Sequence, residues 1–103
     1  MQDKKNAVVF ISGPMTGIAD YGRSAFAAAE AALRDDGYEI ILNPAALPIG
    51  MPREKYLPIT IAMLEAADTI YMLKGWEYSG GARLEYDYAL YQGKTVLREV
   101  DDP

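Results

Sequence analysis

Short apolar runs alternate in this chain with longer stretches in which apolar side chains recur every three or four residues. The first run, Ala7-Val8-Val9-Phe10-Ile11, is continuous and rich in β-branched residues, as in a strand covered on both faces. Ser12-Gly13-Pro14 ends it. Ala25, Phe26, Ala29, Ala32 and Leu33 then fall at helical spacing, with Ser24 the predicted N-cap and Gly37 placed for a C-terminal glycine. Residues 38–42 predict a second strand, stopped by Asn43-Pro44, and the proline-rich segment 45–52 an irregular loop. Because Pro58 is a poor interior helix residue, the pattern predicts a short turn over 53–56 and a helix from about Leu57. Leu57, Ile61, Leu64 and Ala67 or Asp68 mark its inner stripe. Residues 69–73 read as a third strand and 74–80 as a loop. Residues 81–92 read as a third helix carrying Ala82, Leu84, Tyr88, Ala89 and Tyr91. Gly93 ends that helix, Thr95-Val96-Leu97 begins a last strand, and Asp101-Asp102-Pro103 predicts a frayed tail.

The order βαβαβαβ argues for an α/β fold, a three-layer sandwich on a small parallel sheet of the flavodoxin-like kind. With 103 residues the chain has room for one domain, spanning 1–103. In such sheets ligands bind outside the carboxyl ends of the strands. Three loops therefore become candidates: 12–22, 43–52 and 74–80.

Composition narrows the chemistry. The chain has neither cysteine nor histidine, which excludes thiolate nucleophiles, His-based triads and the commonest zinc ligands. Carboxylates, hydroxyls, amines, guanidinium groups and backbone dipoles remain. A net charge of −5 argues against a nucleic-acid polymer or an anionic membrane as partner. No apolar stretch approaches the roughly 20 residues that span a bilayer. Residues 7–11 are also too short for a signal-peptide core, so the expected location is the cytoplasm.

Two loops carry candidate chemistry. In Ser12-Gly13-Pro14-Met15-Thr16-Gly17 the glycines either let the backbone approach a ligand or simply make a tight turn. In Ser79-Gly80-Gly81 the free amides, a hydroxyl and the positive end of a helix form an anion pocket. Glu85 lies four residues beyond Gly81, bordered by Leu84 and Tyr88. It is either a carboxylate facing the ligand cleft or a solvated helix glutamate paired with a base. Trp76 either stacks on a base or sugar or plugs the end of the core.

The strings Phe10-Ile11-Ser12-Gly13-Pro14-Met15-Thr16-Gly17 and Trp76-Glu77-x-Ser79-x-Gly81-Ala82-x-x-Glu85, with Gly93-Lys94-x-Val96, resemble the nucleoside 2-deoxyribosyltransferase-like superfamily. More narrowly, they resemble its short branch in bacteria and their phages, which is related to deoxynucleoside 5′-monophosphate N-glycosidases. The resemblance runs from about Val8 to Val96. It implies a deoxyribosyltransferase-like fold and an enzyme, an N-glycosidase (a hydrolase) or a deoxyribosyltransferase. Glu85 would be the nucleophile at C1′ of a 2-deoxyribosyl group. It implies that Ser79 and Gly81 hold the 5′-phosphate and that Gly13, Pro14 and Met15 wall the base and sugar. Phe10, Ser12, Thr16, Asn43, Thr60 and Trp76 complete the candidate substrate-binding set. It further implies a small nucleoside or nucleotide as partner, no metal, no cofactor, and a homodimer or higher homo-oligomer.

Two positions depart from the family pattern. Phe10 stands where family enzymes carry a tyrosine that touches the nucleophile. Thr60 stands where they carry an aspartate near the base, and a hydroxyl is a weak general acid at neutral pH. Glu54 or Glu65 is then the remaining candidate proton donor. These departures keep a second expectation open, a nucleotide-binding, signal-sequestering protein without catalysis. A third expectation is an interaction protein that retains only the fold.

Overall fold

The computed structural model describes residues 3–99. Four strands and three main helices alternate along the chain: β1 (Val8–Ser12), α1 (Arg23–Asp35), β2 (Ile40–Leu42), α2 (Arg53–Ala66), β3 (Thr69–Met72), α3 (Gly80–Tyr91) and β4 (Thr95–Arg98). The sheet is wholly parallel in the order β2-β1-β3-β4, with Val9 opposite both Ile41 and Thr69. The fold is a three-layer α/β sandwich of the flavodoxin-like type. Among the described residues no helix is long and apolar enough to cross a membrane.

The continuous apolar run of β1 follows from its central place. Alternate side chains point to opposite faces. Val9 and Ile11 pack with Phe26, Ala29 and Leu33 of α1. Phe10 packs on the other face with Leu64, Ala82 and Ala89 of α2 and α3 and with Ile70 and Met72 of β3. Burying Phe10, Phe26, Ile11, Leu64 and Ile70 contributes about 1.5–3 kcal/mol each before chain entropy is set against it.

Several local expectations change. Ser24 is not the N-cap of α1; that position falls to Gly22, and the capping oxygen comes from Asp20. Its carboxylate accepts the Ser24 N–H at 3.3 Å and the Ser24 hydroxyl at 2.6 Å. Ala25 and Ala32 are exposed, so Phe26, Ala29 and Leu33 alone form the inner stripe. Gly37 does end the helix, its φ of +107° letting Tyr38 N–H return to the Leu33 carbonyl and Gly37 N–H to that of Arg34. The second strand begins at Ile40, two residues later than the pattern suggests.

The turn expected over 53–56 is the first turn of α2, which runs unbroken through Pro58. Proline there forfeits one hydrogen bond, to the carbonyl of Glu54, on an exposed stretch of the helix. Thr60, Leu64 and Ala67 are the buried positions around α2, while Leu57 and Ile61 are only half-buried. On α3, Leu84 and Tyr91 point outward and Tyr88 is half-buried; Ala82, Glu85 and Ala89 face the sheet. The third strand stops at Met72, and α3 covers Gly80–Tyr91. The tail Asp101-Asp102-Pro103 lies outside the described residues.

Between β1 and α1 the backbone of Asp20, Tyr21 and Gly22 is left-handed, with φ of 51°, 54° and 74°. At Gly22 a Cβ would lie 2.6 Å from the Pro14 carbonyl oxygen. Gly22→Ala should therefore destabilise the fold by about 1–3 kcal/mol, read as a lower urea midpoint with unchanged slope. An unchanged midpoint would show that the Pro14–Gly22 approach is not a constraint on the fold.

Candidate active site

A cavity of about 710 Å³ opens at the carboxyl ends of the strands. It lies where the chain turns away from β1 in one direction toward β2 and in the other toward β3, the switch point of this sheet. Ser12, Gly13, Pro14, Met15, Thr16, Thr60, Ser79, Gly81 and Glu85 all line it. Three of the sequence candidates do not. Phe10 is wholly buried in the core, on the same face of β1 as Ser12 but two residues deeper. Asn43 caps the turn after β2, accepting the Ala45 N–H at 2.9 Å and donating to Glu30 at 3.0 Å. Trp76 packs on Tyr86 with ring centroids 4.5 Å apart. It lines a separate hollow of about 310 Å³ beyond Lys74 and Gly75. It is partly buried against the core cluster of Phe10 and Leu64.

Glu85 is the centre of the site. It is only 7 % exposed, so the solvated-glutamate alternative falls. The Ser12 hydroxyl donates to its Oε1 at 2.6 Å. The Thr60 hydroxyl is a second partner of the carboxylate. With one proton to give, Thr60 gains more from a carboxylate than from its 3.3 Å contact with the Leu57 carbonyl. Burial raises the Glu85 pKa above the usual carboxylate range, and the Ser12 and Thr60 hydroxyls oppose that rise. The positive end of α3 does not offset that rise. Glu85 lies beyond the first turn, where the dipole fades, and desolvation prevails.

The hydroxyl that Phe10 lacks is thus supplied by Ser12. Neither Glu54 nor Glu65 reaches the cavity: Glu54 is exposed on α2, and the Glu65 carboxylate accepts the Tyr88 hydroxyl. Glu99 is the other carboxylate on the cavity wall, and it accepts the Lys74 N–H at 2.8 Å.

The second pole is the start of α3. Ser79 is its N-cap, the hydroxyl oxygen accepting Ala82 N–H at 3.2 Å. The N–H groups of Gly80 and Gly81 have no acceptor within the helix. Space beside Gly81 is open, whereas a side chain at Gly80 would collide with the guanidinium of Arg53. Arg53, at the first position of α2, makes no ion pair among the described residues. A guanidinium beside two backbone donors suits a small anion.

Sequence reasoning missed Arg53, Tyr21, Tyr56 and Glu99 on the cavity wall. Arg53 had one available signal, a basic residue at a helix start following Pro52. Tyr21 had none, because its placement depends on a left-handed backbone. Gly13 is explained by packing: a Cβ there would lie 2.8 Å from that of Leu73, so glycine lets the loop after β1 cross the end of β3.

Because burial raises the Glu85 pKa, the folded state keeps this proton to a higher pH than the unfolded chain does. The stability this contributes is complete below the usual glutamate range and is lost as pH rises through the raised value. Glu85→Gln keeps the shape and removes the titration. Its urea stability relative to wild type should increase as the pH is raised from acid to neutral. A constant difference across that series would show that the carboxylate does not feel its burial.

Residues 7–98 match the family described as Domain of unknown function (DUF4406). No curated protein and no solved structure matches the chain. The matched stretch contains β1 to β4 and every cavity residue except Glu99, and the chain belongs to the DUF4406 family.

Proposed function

We propose that this protein cleaves or transfers the glycosidic bond of a nucleoside 5′-monophosphate, with Glu85 as nucleophile. The observation that carries the reading is one cavity holding a buried, hydroxyl-bonded carboxylate together with an amide-and-guanidinium mouth. Gly81 and Glu85 stand about one turn apart on the same helix, about 6 Å of rise, so both poles fall within reach of one small ligand. The resemblance of the Ser79-x-Gly81-x-x-x-Glu85 string to deoxyribosyl-transferring enzymes points the same way.

The chemistry runs in two steps. A Glu85 oxygen bonds to C1′ as the C1′–N bond breaks, and the base departs with the bonding electrons and takes a proton from water. Water or a second base then displaces Glu85 from C1′, giving up a proton to the hydroxide left by the first step, and the carboxylate is restored. The positive charge that develops on the sugar ring pairs with the buried carboxylate, which is worth more here than in bulk water. Ser12 and Thr60 hold the carboxylate in place through both steps. Retention without cleavage is the second reading. It is favoured by one observation: Thr60 and Glu85 share the cavity with no carboxylic acid from α2 to protonate the base.

Incubation with the deoxynucleoside 5′-monophosphates, followed by chromatography, should show released base. Glu85→Ala should reduce that release by roughly 10³-fold or more. The rate should rise with pH through the raised Glu85 pKa, since the ionised form attacks. Binding by calorimetry without released base would decide for retention, and no binding would remove both readings.

Arg53→Gln should weaken binding of a monophosphate by about 10- to 100-fold and leave binding of the free nucleoside unchanged, as for loss of a charged hydrogen bond. Equal weakening of both would show that Arg53 acts on the fold instead of on the anion.

A further inference from the structure

We infer that Tyr21 is a ligand contact which holds the planar end of the molecule bound in the cavity. The inference rests on the nucleotide reading above and adds to it a residue that recognises the base. Tyr21 has φ 54° and ψ 28° in the left-handed region, where a bulky residue is seldom found and asparagine or glycine is far more at ease. The fold does not use the ring to offset that strain. Tyr21 is half-buried, lies outside both hydrophobic clusters, and its hydroxyl makes no hydrogen bond among the described residues. What the strained backbone achieves is placement of the side chain on the cavity wall.

The position on that wall sets the chemistry. Tyr21, Gly22 and Ala25 lie at the α1 side of the sheet, whereas Arg53, Ser79 and Glu85 come from α2 and α3 on the other side. A ligand anchored by its anion at Gly81 and by its sugar at Glu85 directs its remaining group toward the α1 side. An aromatic face there suits a planar heterocycle, which stacks irrespective of base identity. Three neighbouring interactions hold the loop in this shape. Tyr21 N–H donates to the Ile18 carbonyl at 2.9 Å, the Asp20 carboxylate caps Ser24, and Gly22 passes close to Pro14.

The test uses the full-length chain with Tyr21→Asn and Tyr21→Phe. The probes are the four deoxynucleoside 5′-monophosphates and 2-deoxyribose 5-phosphate, which lacks a base. Tyr21→Asn should melt at the same temperature as wild type or higher, because the strain is relieved. It should bind the nucleotides about 5- to 100-fold more weakly and 2-deoxyribose 5-phosphate equally well. Tyr21→Phe should restore nucleotide binding. Unchanged nucleotide affinity in Tyr21→Asn, or parallel loss for the base-less probe, overturns the assignment while the nucleotide reading stands. A lower melting temperature with parallel loss of all probes would make Tyr21 a structural residue and overturn it too. Wild type that binds none of the nucleotides would remove the nucleotide reading and this inference with it.

Discussion

A buried carboxylate tied to the end of the central strand governs how this molecule is built. Moving Glu85 out of water carries a large desolvation cost, and the protein meets it with two hydroxyls and a raised pKa. Those hydroxyls must arrive from two different elements, β1 and α2, so both have to converge on one turn of α3. The convergence is possible because the face α3 turns to the sheet is small. Ala82 and Ala89 flank Glu85 on that face, and their short side chains let the helix lie close to β1 and β3. On β1 the same face changes from Phe10, wholly in the core, to Ser12 at the cavity floor. The core ends and the site begins within one period of a strand.

The mouth of the cavity depends on this arrangement. Once Glu85 is fixed over Ser12, the first turn of α3 must project past the sheet, and Gly80 and Gly81 come to the cavity wall. The start of α2 crosses above it and brings Arg53 over Gly80. A chain with an overall charge of −5 thus brings one guanidinium and two backbone amides together at this mouth. Charge at one wall of a cavity and charge over the whole chain are separate quantities.

Much of the fold was legible because periodicity reports burial directly. Ala7-Val8-Val9-Phe10-Ile11 lacks alternation since α1 covers one face of β1 and α2 with α3 cover the other. Propensity rules failed where a tertiary contact replaced a local one. Ser24 looks like a cap, yet Asp20 does the capping after a left-handed turn that no periodicity encodes. Pro58 looks like a helix boundary, yet packing at Leu64 and Thr60 carries α2 through it. Leu84 looks like core, yet α3 is rotated so that Glu85 faces inward, the reverse of ordinary amphipathic order. The candidate site was partly legible because Ser79, Gly81 and Glu85 are fixed relative to one another by a single helix. Arg53 and Tyr21 reach the cavity through crossovers and loops, so their spacing in the chain carries no trace of their neighbourhood.

The amino ends of the strands show why the carboxyl ends can hold a cavity at all. Asp68 accepts the Val8 N–H on one carboxylate oxygen at 3.0 Å and the Thr69 hydroxyl on the other at 2.8 Å. Its backbone takes part too, the N–H donating to the Val8 carbonyl and the carbonyl accepting Thr95 N–H, each at 3.0 Å. The Lys94 ammonium adds a bond to the Ala67 carbonyl at 2.6 Å. One residue thereby joins β1, β3 and β4 at the end remote from the cavity, and it does so with hydrogen bonds that fix register more than they add net stability. At the opposite end the left-handed backbone of Asp20 and Tyr21 is unfavourable in isolation, and Gly22 leaves no room for a side chain beside Pro14. They persist because the strands beneath them are already aligned. A polar clamp at one edge of the sheet, an apolar centre and a strained, charged rim at the other form a gradient along the strands, and the cavity occupies the rim.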